Sequence, residues 1–219
     1  MVMTFPASTA EFIEELPIQS ITFDAPETAE MSQTAGGEIL TADVGARLWR
    51  GQIALGRMDV DEANGVMALI DVFRGAGRSF YIHNVRSPFP QMDRTGSILG
   101  GAQPEISALP ATGREIALEG LPAGYVLKRG DRLSFDYGSE PIRTALHRIV
   151  DREVVANGAG QTAPFEVVPR LRDGAALGSA VRLIKPYCKA ILVPGSVEPG
   201  TPRRGLTEGV SFAFIQTLR

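Results

Sequence analysis

Between Arg47 and Asn84 the spacing of apolar side chains runs from two, to three and four, and back to two. In Arg47–Gly56, Trp49, Gly51, Ile53 and Leu55 alternate with Leu48, Arg50, Gln52 and Ala54, the period of a strand with one covered face. From Asp59 the pattern becomes helical: Val60, Ala63, Met67, Ile70 and Phe73 recur at helical spacing, and Val66 and Leu69 widen the stripe. Asp59 is placed to cap the first turn, with Glu62 at the third helical position. Gly75 and Gly77 are placed to end the helix, so it is expected over about 59–75. Ser79–His83 returns to period two with aromatic and β-branched residues. The unit predicts a strand, one amphipathic helix and a second strand.

The flanking segments extend a β pattern. Residues 1–46 read as an irregular lead-in that orders on assembly, with a helical turn near Ala10–Glu15, a short strand at Ile18–Phe23 and a loop over Asp24–Gly37. Val85–Gly101, with Pro88 and Pro90, reads as a long loop of the functional or interfacial sort, and Asp24–Gly37 and Pro88–Gly101 as loops that order on contact. From Ile116 a second series of strands begins: Val126–Phe135 with a turn at Gly130-Asp131, Thr144–Val150, Phe165–Leu171 closed by Pro169, Val181–Pro186 and Lys189–Val193. These strands are expected to complete a barrel or sandwich. A turn over Pro194–Gly205 then leads to a last strand, Gly209–Gln216, in which Val210, Phe212, Phe214 and Gln216 share a face. The expected fold is mainly β with one flanking helix. Residues 47–114 and 194–219 form one domain, and 115–193 form an inserted β-barrel or sandwich.

Composition narrows the class. With 44% hydrophobic and 21% charged residues, the chain of 219 residues has the make-up of a soluble globular protein. The formal charge of −3 argues against a nucleic-acid-binding surface spread over the whole molecule. A single cysteine, Cys188, excludes an intrachain disulfide framework. No apolar run reaches the length of a membrane span, and Met1–Pro6 lacks the form of a signal peptide, so synthesis and folding in the cytoplasm are expected.

Candidate chemistry is sparse. His83 and His147, the two histidines, stand alone in predicted strands, without the further ligands that a metal centre needs. Cys188 is expected to be an inert, partly buried thiol, although Lys189 beside it is the kind of neighbour that activates one. Asp59, Asp61 and Glu62 resemble a carboxylate cluster for a divalent cation, but capping already accounts for Asp59 and Glu62. Gly36-Gly37 and Gly75-Ala76-Gly77 fit neither a phosphate loop nor a dinucleotide fingerprint, and no nucleophile elbow occurs. No catalytic, cofactor-binding or metal-binding residue is therefore assigned, and no cofactor is expected. Arg47, Arg50, Arg57, Arg74 and Arg78 around the central unit read either as a solvated face or as subunit contacts. Trp49 reads as core or as an interface anchor.

Taken in order, Leu48–Leu55, the helix from Asp59, Arg78–His83, Leu127-x-x-Gly130-Asp131, Leu146-His147-Arg148, Pro169-x-Leu171-Arg172 and the apolar strand after Lys185-Pro186 form a series. Over about residues 45–193 that series resembles the distal tail proteins of long-tailed, non-contractile phages and the related gene-transfer agents. The likeness lies in the order of segments, and the lead-in and the stretch Val85–Gly113 fall outside it. The resemblance implies a non-enzymatic virion protein of the tail, made and assembled in the host cytoplasm. Such proteins form a ring, usually a hexamer, that joins the tail tube to the hub or baseplate and its fibres. It further implies a tail-tube-like β-sandwich with one helix, whose sheets line a channel that DNA crosses without specific binding, and an outward-facing inserted domain. Another tail component of the same fold (tube, terminator or hub protein) is an alternative. So is a carbohydrate-binding β-module, in which Tyr125, Phe135, Tyr137 and Tyr187 stack on glycan.

Overall fold

The alternation at the end of the chain is the clearest link from sequence to packing. Val210, Phe212 and Phe214 are fully buried, while Ser211, Ala213 and Ile215 between them are only partly covered. A computed structural model describes residues 3–219. In chain order a 3-10 turn at Ile13–Glu15 precedes β1 (Ile18–Ile21), β2 (Ala29–Gln33), β3 (Ile39–Asp43), β4 (Arg50–Leu55), β5 (Met58–Asp59) and α1 (Val60–Val72). There follow β6 (Ser79–His83), β7 (Glu105–Ala108), β8 (Glu115–Glu119), β9 (Val126–Lys128), β10 (Arg132–Tyr137) and β11 (Arg143–Ile149). The chain continues with β12 (Glu153–Val155), β13 (Phe165–Val168), β14 (Val181–Arg182), β15 (Tyr187–Leu192), β16 (Glu198–Arg203) and β17 (Leu206–Gln216). The protein is mainly β, with one helix and several antiparallel sheets, one of them six-stranded and nearly closed like a barrel.

One unit comprises Pro17–Gly75 and Ile191–Thr217. Within it β17 runs antiparallel to β4, from Ser211 opposite Ala54 to Ile215 opposite Arg50, and β4 pairs with β1. Trp49, Ile53 and Leu55 join Phe212 and Phe214 in the core, as the period of two predicts. Each such side chain contributes roughly 1.5–3 kcal/mol by leaving water. The helix begins as expected, the Asp59 carboxylate accepting from the Glu62 N–H at 2.8 Å. Ala63, Val66, Ile70 and Phe73 carry its covered face, and the helix lies against β5 and β17. Val60, expected in that stripe, is exposed, because the first helical residue precedes the turn that meets the sheet. Helical bonding ends at Val72, sooner than expected, with Phe73 as the C-cap.

Two expectations in this unit are corrected. Asp24–Gly37 is not a loop throughout: β2 pairs with β3 from Ala29 opposite Asp43 to Gln33 opposite Ile39. Likewise Pro194–Gly205 is not only a turn, since β16 pairs with β17 from Glu198 opposite Ser211 to Arg203 opposite Leu206. Both strands are held by main-chain hydrogen bonds and leave most side chains exposed, so neither carries an alternating pattern.

The other unit comprises the segment through Leu16, Ala76–Ala190 and Leu218–Arg219. The division falls at 16/17, 75/76 and 190/191, whereas the sequence places its boundaries at 46/47, 114/115 and 193/194. The six-stranded sheet has the order β14, β10, β11, β13, β8, β7. Its ends approach each other, with the Ile106 N–H donating to Ser179 O and the Gly178 N–H to Ile106 O. Leu118, Leu127, Leu133, Phe135, Ile149 and Phe165 fill the interior. The second strand series thus starts at Glu105, ahead of the expected Ile116, and Val181–Pro186 supplies only the two-residue β14. Of Lys189–Val193, expected in the barrel, all but Val193 lies in β15, which pairs with β6. Pro169 follows the end of β13, as its missing N–H requires. Part of the lead-in is core: Phe12 and Ile13 are buried, and the Phe12 ring packs edge-on to Phe80 at 4.8 Å.

Candidate functional site

The residues with potential for chemistry are dispersed and, in several cases, sealed off. His147 is buried in β11, where its Nδ1 lies 2.7 Å from Pro169 O and its ring stacks on Phe135. His83 is buried in β6, near the Glu14–Lys185 ion pair, whose Nζ is 2.9 Å from both carboxylate oxygens. Burial holds both imidazoles neutral, their pKa values lowered to about 4. Cys188 is fully buried rather than partly so, and burial pushes its thiol well above the usual range, away from the nucleophilic thiolate. Among the described residues no group of three or more His, Cys, Asp or Glu side chains has the arrangement of a metal site.

Of the five arginines around the central unit four make local contacts, and Arg50 is exposed. Arg47 Nε donates to Ala25 O at 2.9 Å, Arg57 pairs with Glu208, Arg74 pairs with Asp71, and Arg78 lies over the Phe5 ring. Trp49 is core. Tyr125, Phe135 and Tyr137, considered above as sugar platforms, are buried. Tyr187 is half-buried, with the Arg182 guanidinium on its ring at 4.9 Å and Tyr81 at 4.6 Å.

The feature without a local purpose is the β2–β3 hairpin. Its base is well tied: Val44 N–H donates to Thr28 O at 2.8 Å, and Thr28 Oγ1 donates to Gly45 O at 2.6 Å. Its turn is also closed, with the Gly37 N–H donating to Thr34 O and the Glu38 N–H to Thr34 Oγ1. Gly37, at a φ of 85°, adopts the left-handed conformation that the turn demands. Yet all ten strand residues are exposed. The register sets Met31 and Ile39 on one face and Leu40 on the other, so neither face is a polar one turned to water. Glu27, Glu30, Glu38 and Asp43 are its acidic residues, and no lysine or arginine occurs between Asp24 and Ala46. A two-stranded ribbon is marginal alone in water, and exposed apolar side chains on two faces with open strand edges mark a contact surface.

The sequence matches no family model and no curated protein.

A second exposed element differs in being rigidly built. In the loop from Asn84 to Pro104, the buried Asp93 carboxylate accepts from Ile98 N–H at 3.1 Å, Leu99 N–H at 2.9 Å and Tyr125 Oη at 3.2 Å. Burial opposes ionisation of Asp93, but these donors together bring its pKa below the usual carboxylate value. The buried Asp131 accepts from Gln91 N–H and Gln91 Nε2 and from Lys128 N–H. So fastened, the loop presents Met92 and Ile98 to solvent. The sequence points to both stretches, Asp24–Gly37 and Pro88–Gly101, as loops that order on contact, but not to the hairpin pairing of the first or the buried anchors of the second. The signals available were Gly36-Gly37 between two five-residue runs, and an aspartate inside each loop anchor.

Proposed function

We propose that this protein is a structural ring subunit at the distal end of a phage-like tail. In that role it joins the tail tube to the hub or baseplate and its fibres and lines the passage for DNA. The observation that carries the reading is the β2–β3 hairpin, tied at its base, with exposed apolar side chains on both faces, open at both edges and without a lysine or arginine. Such an arm fits an adjacent subunit of a ring, where a patch on one copy meets a different patch on the next and rotation closes the circle. Its carboxylates call for a basic or hydrogen-bond-donating partner surface. The mainly β architecture with one flanking helix agrees with the fold that the sequence resemblance implies. No enzymatic role is proposed.

Light scattering with negative-stain imaging of the purified chain tests the proposal. A closed ring with an open centre is expected, or a monomer that joins purified tails lacking it. Long tubes would assign the chain to the tube itself, and a monomer that fails to join tails would overturn the proposal.

A further inference from the structure

At one end of the β10–β11 hairpin the chain gathers arginines that are far apart in sequence. Tyr137 ends β10 and Arg143 begins β11, and the two are register partners. Beside them runs the segment after Pro169, in which Leu171 turns toward the barrel core and Arg170 and Arg172 flank it. This segment is drawn close by the Leu171 N–H to Gly113 O bond at 2.8 Å and the Gly138 N–H to Gly174 O bond at 3.3 Å. Glycine serves both turns: a side chain at Gly113 would meet Arg170 Nε at 2.8 Å, and Gly174 holds a φ of 97° beside Gly138 and Tyr137. The result is an open cavity of about 640 Å³ lined by Tyr137, Arg143, Arg170, Leu171, Arg172 and Asp173, together with Leu218 and Arg219.

We infer that this cavity binds a compact polyvalent oxyanion, a molecule of roughly monosaccharide size carrying two or more carboxylate or phosphate groups. The volume lies in the range of small-molecule sites. Without counting Arg219, the lining carries three arginines, Arg143, Arg170 and Arg172, and one acidic residue, Asp173, a local excess of positive charge that a polyvalent anion complements. Arg143 is held by the bond from its Nε to Leu218 O at 2.9 Å, which fixes one fork in advance. The planar fork of arginine takes a carboxylate or phosphate edge through two parallel bonds, a match that lysine lacks. Of the apolar lining, Tyr137 is buried and Leu171 packs against the core, so a ligand meets mainly the charged groups. Nothing in this inference depends on ring assembly, since every lining residue belongs to one compact unit.

Calorimetric titration of the full chain with pyrophosphate and with citrate, in low-salt buffer free of other polyvalent anions, tests the site. One saturable site per chain is expected for at least one of these anions, weakening as salt is added. The R170Q/R172Q variant should bind at least about tenfold more weakly, whereas R57Q/R74Q, changed at surface ion pairs elsewhere, should match the parent. Amide shifts of the unaltered chain give a second readout that needs no variant, and they should centre on Gly138, Leu171 and Leu218. Absence of saturable binding to both anions, equal losses in the two double variants, or shifts centred elsewhere would each overturn the inference.

Discussion

Trp49 and Gln216 exchange hydrogen bonds across neighbouring strand ends: the Trp49 N–H donates to Gln216 Oε1 at 3.1 Å, and the Gln216 N–H donates to Trp49 O at 2.7 Å. Both residues are buried, so the glutamine side chain supplies the acceptor for the Trp49 N–H where the β4–β17 ladder ends. Gln216→Leu would keep the bulk and strand the Trp49 N–H. A loss of about 1–3 kcal/mol is expected in urea unfolding, the cost of a buried donor left unpaired.

Gly51 and Gly65 should respond to alanine in opposite directions. A side chain at Gly51 would overlap the Thr22 carbonyl and come within 2.9 Å of the Phe214 ring, so the sheet would have to part. Destabilisation of about 3 kcal/mol or more is expected, seen as a lower melting temperature or insoluble protein. Gly65 sits inside α1, with open space where a side chain would go. Gly65→Ala should stabilise by about 0.5–1 kcal/mol.

The buried histidines set an acid dependence. Their folded pKa values are near 4 against 6.5 for the free group, so the unfolded chain takes up protons first. Stability from this source is complete above pH 6.5, declines as pH falls below it, and has been lost by about pH 4. Between pH 7.5 and 5, about 1–2 kcal/mol of decline per histidine is expected in urea midpoints. His147→Gln should remove roughly half of that decline.

The hairpin should separate folding from assembly. Met31→Glu and Ile39→Glu replace exposed side chains, so melting temperatures should stay within the equivalent of about 0.5 kcal/mol. Ring formation, or incorporation into tails, should fail in the double variant by light scattering and imaging. Unimpaired assembly would remove the hairpin from the interface.

How far the sequence could be read depended on whether burial was one-sided. Val210, Phe212, Phe214 and Gln216 face one core, and the period of two reports it directly. The Asp59 cap was legible because its chemistry lies within one helical turn. β2 and β3 carry no such record: with neither face covered, nothing selects an alternating pattern. β16, Glu-Pro-Gly-Thr-Pro-Arg, looks like a turn by composition and becomes a strand through its main-chain pairing to β17. The arginine cavity joins residues 143, 170, 172 and 219, an arrangement made by the barrel and invisible to any local window.

The Asp93 carboxylate has a consequence for how the long loop moves. Ile98 and Leu99 belong to no strand or helix, yet their amides are bound by a buried acceptor rather than by solvent. In deuterium oxide these two protons should exchange on the slow timescale of the barrel, while the regular β2–β3 ribbon exchanges its amides early. Slow exchange at Ile98 and Leu99 beside early exchange in the ribbon would invert the usual order, in which regular backbone is protected and irregular backbone is not.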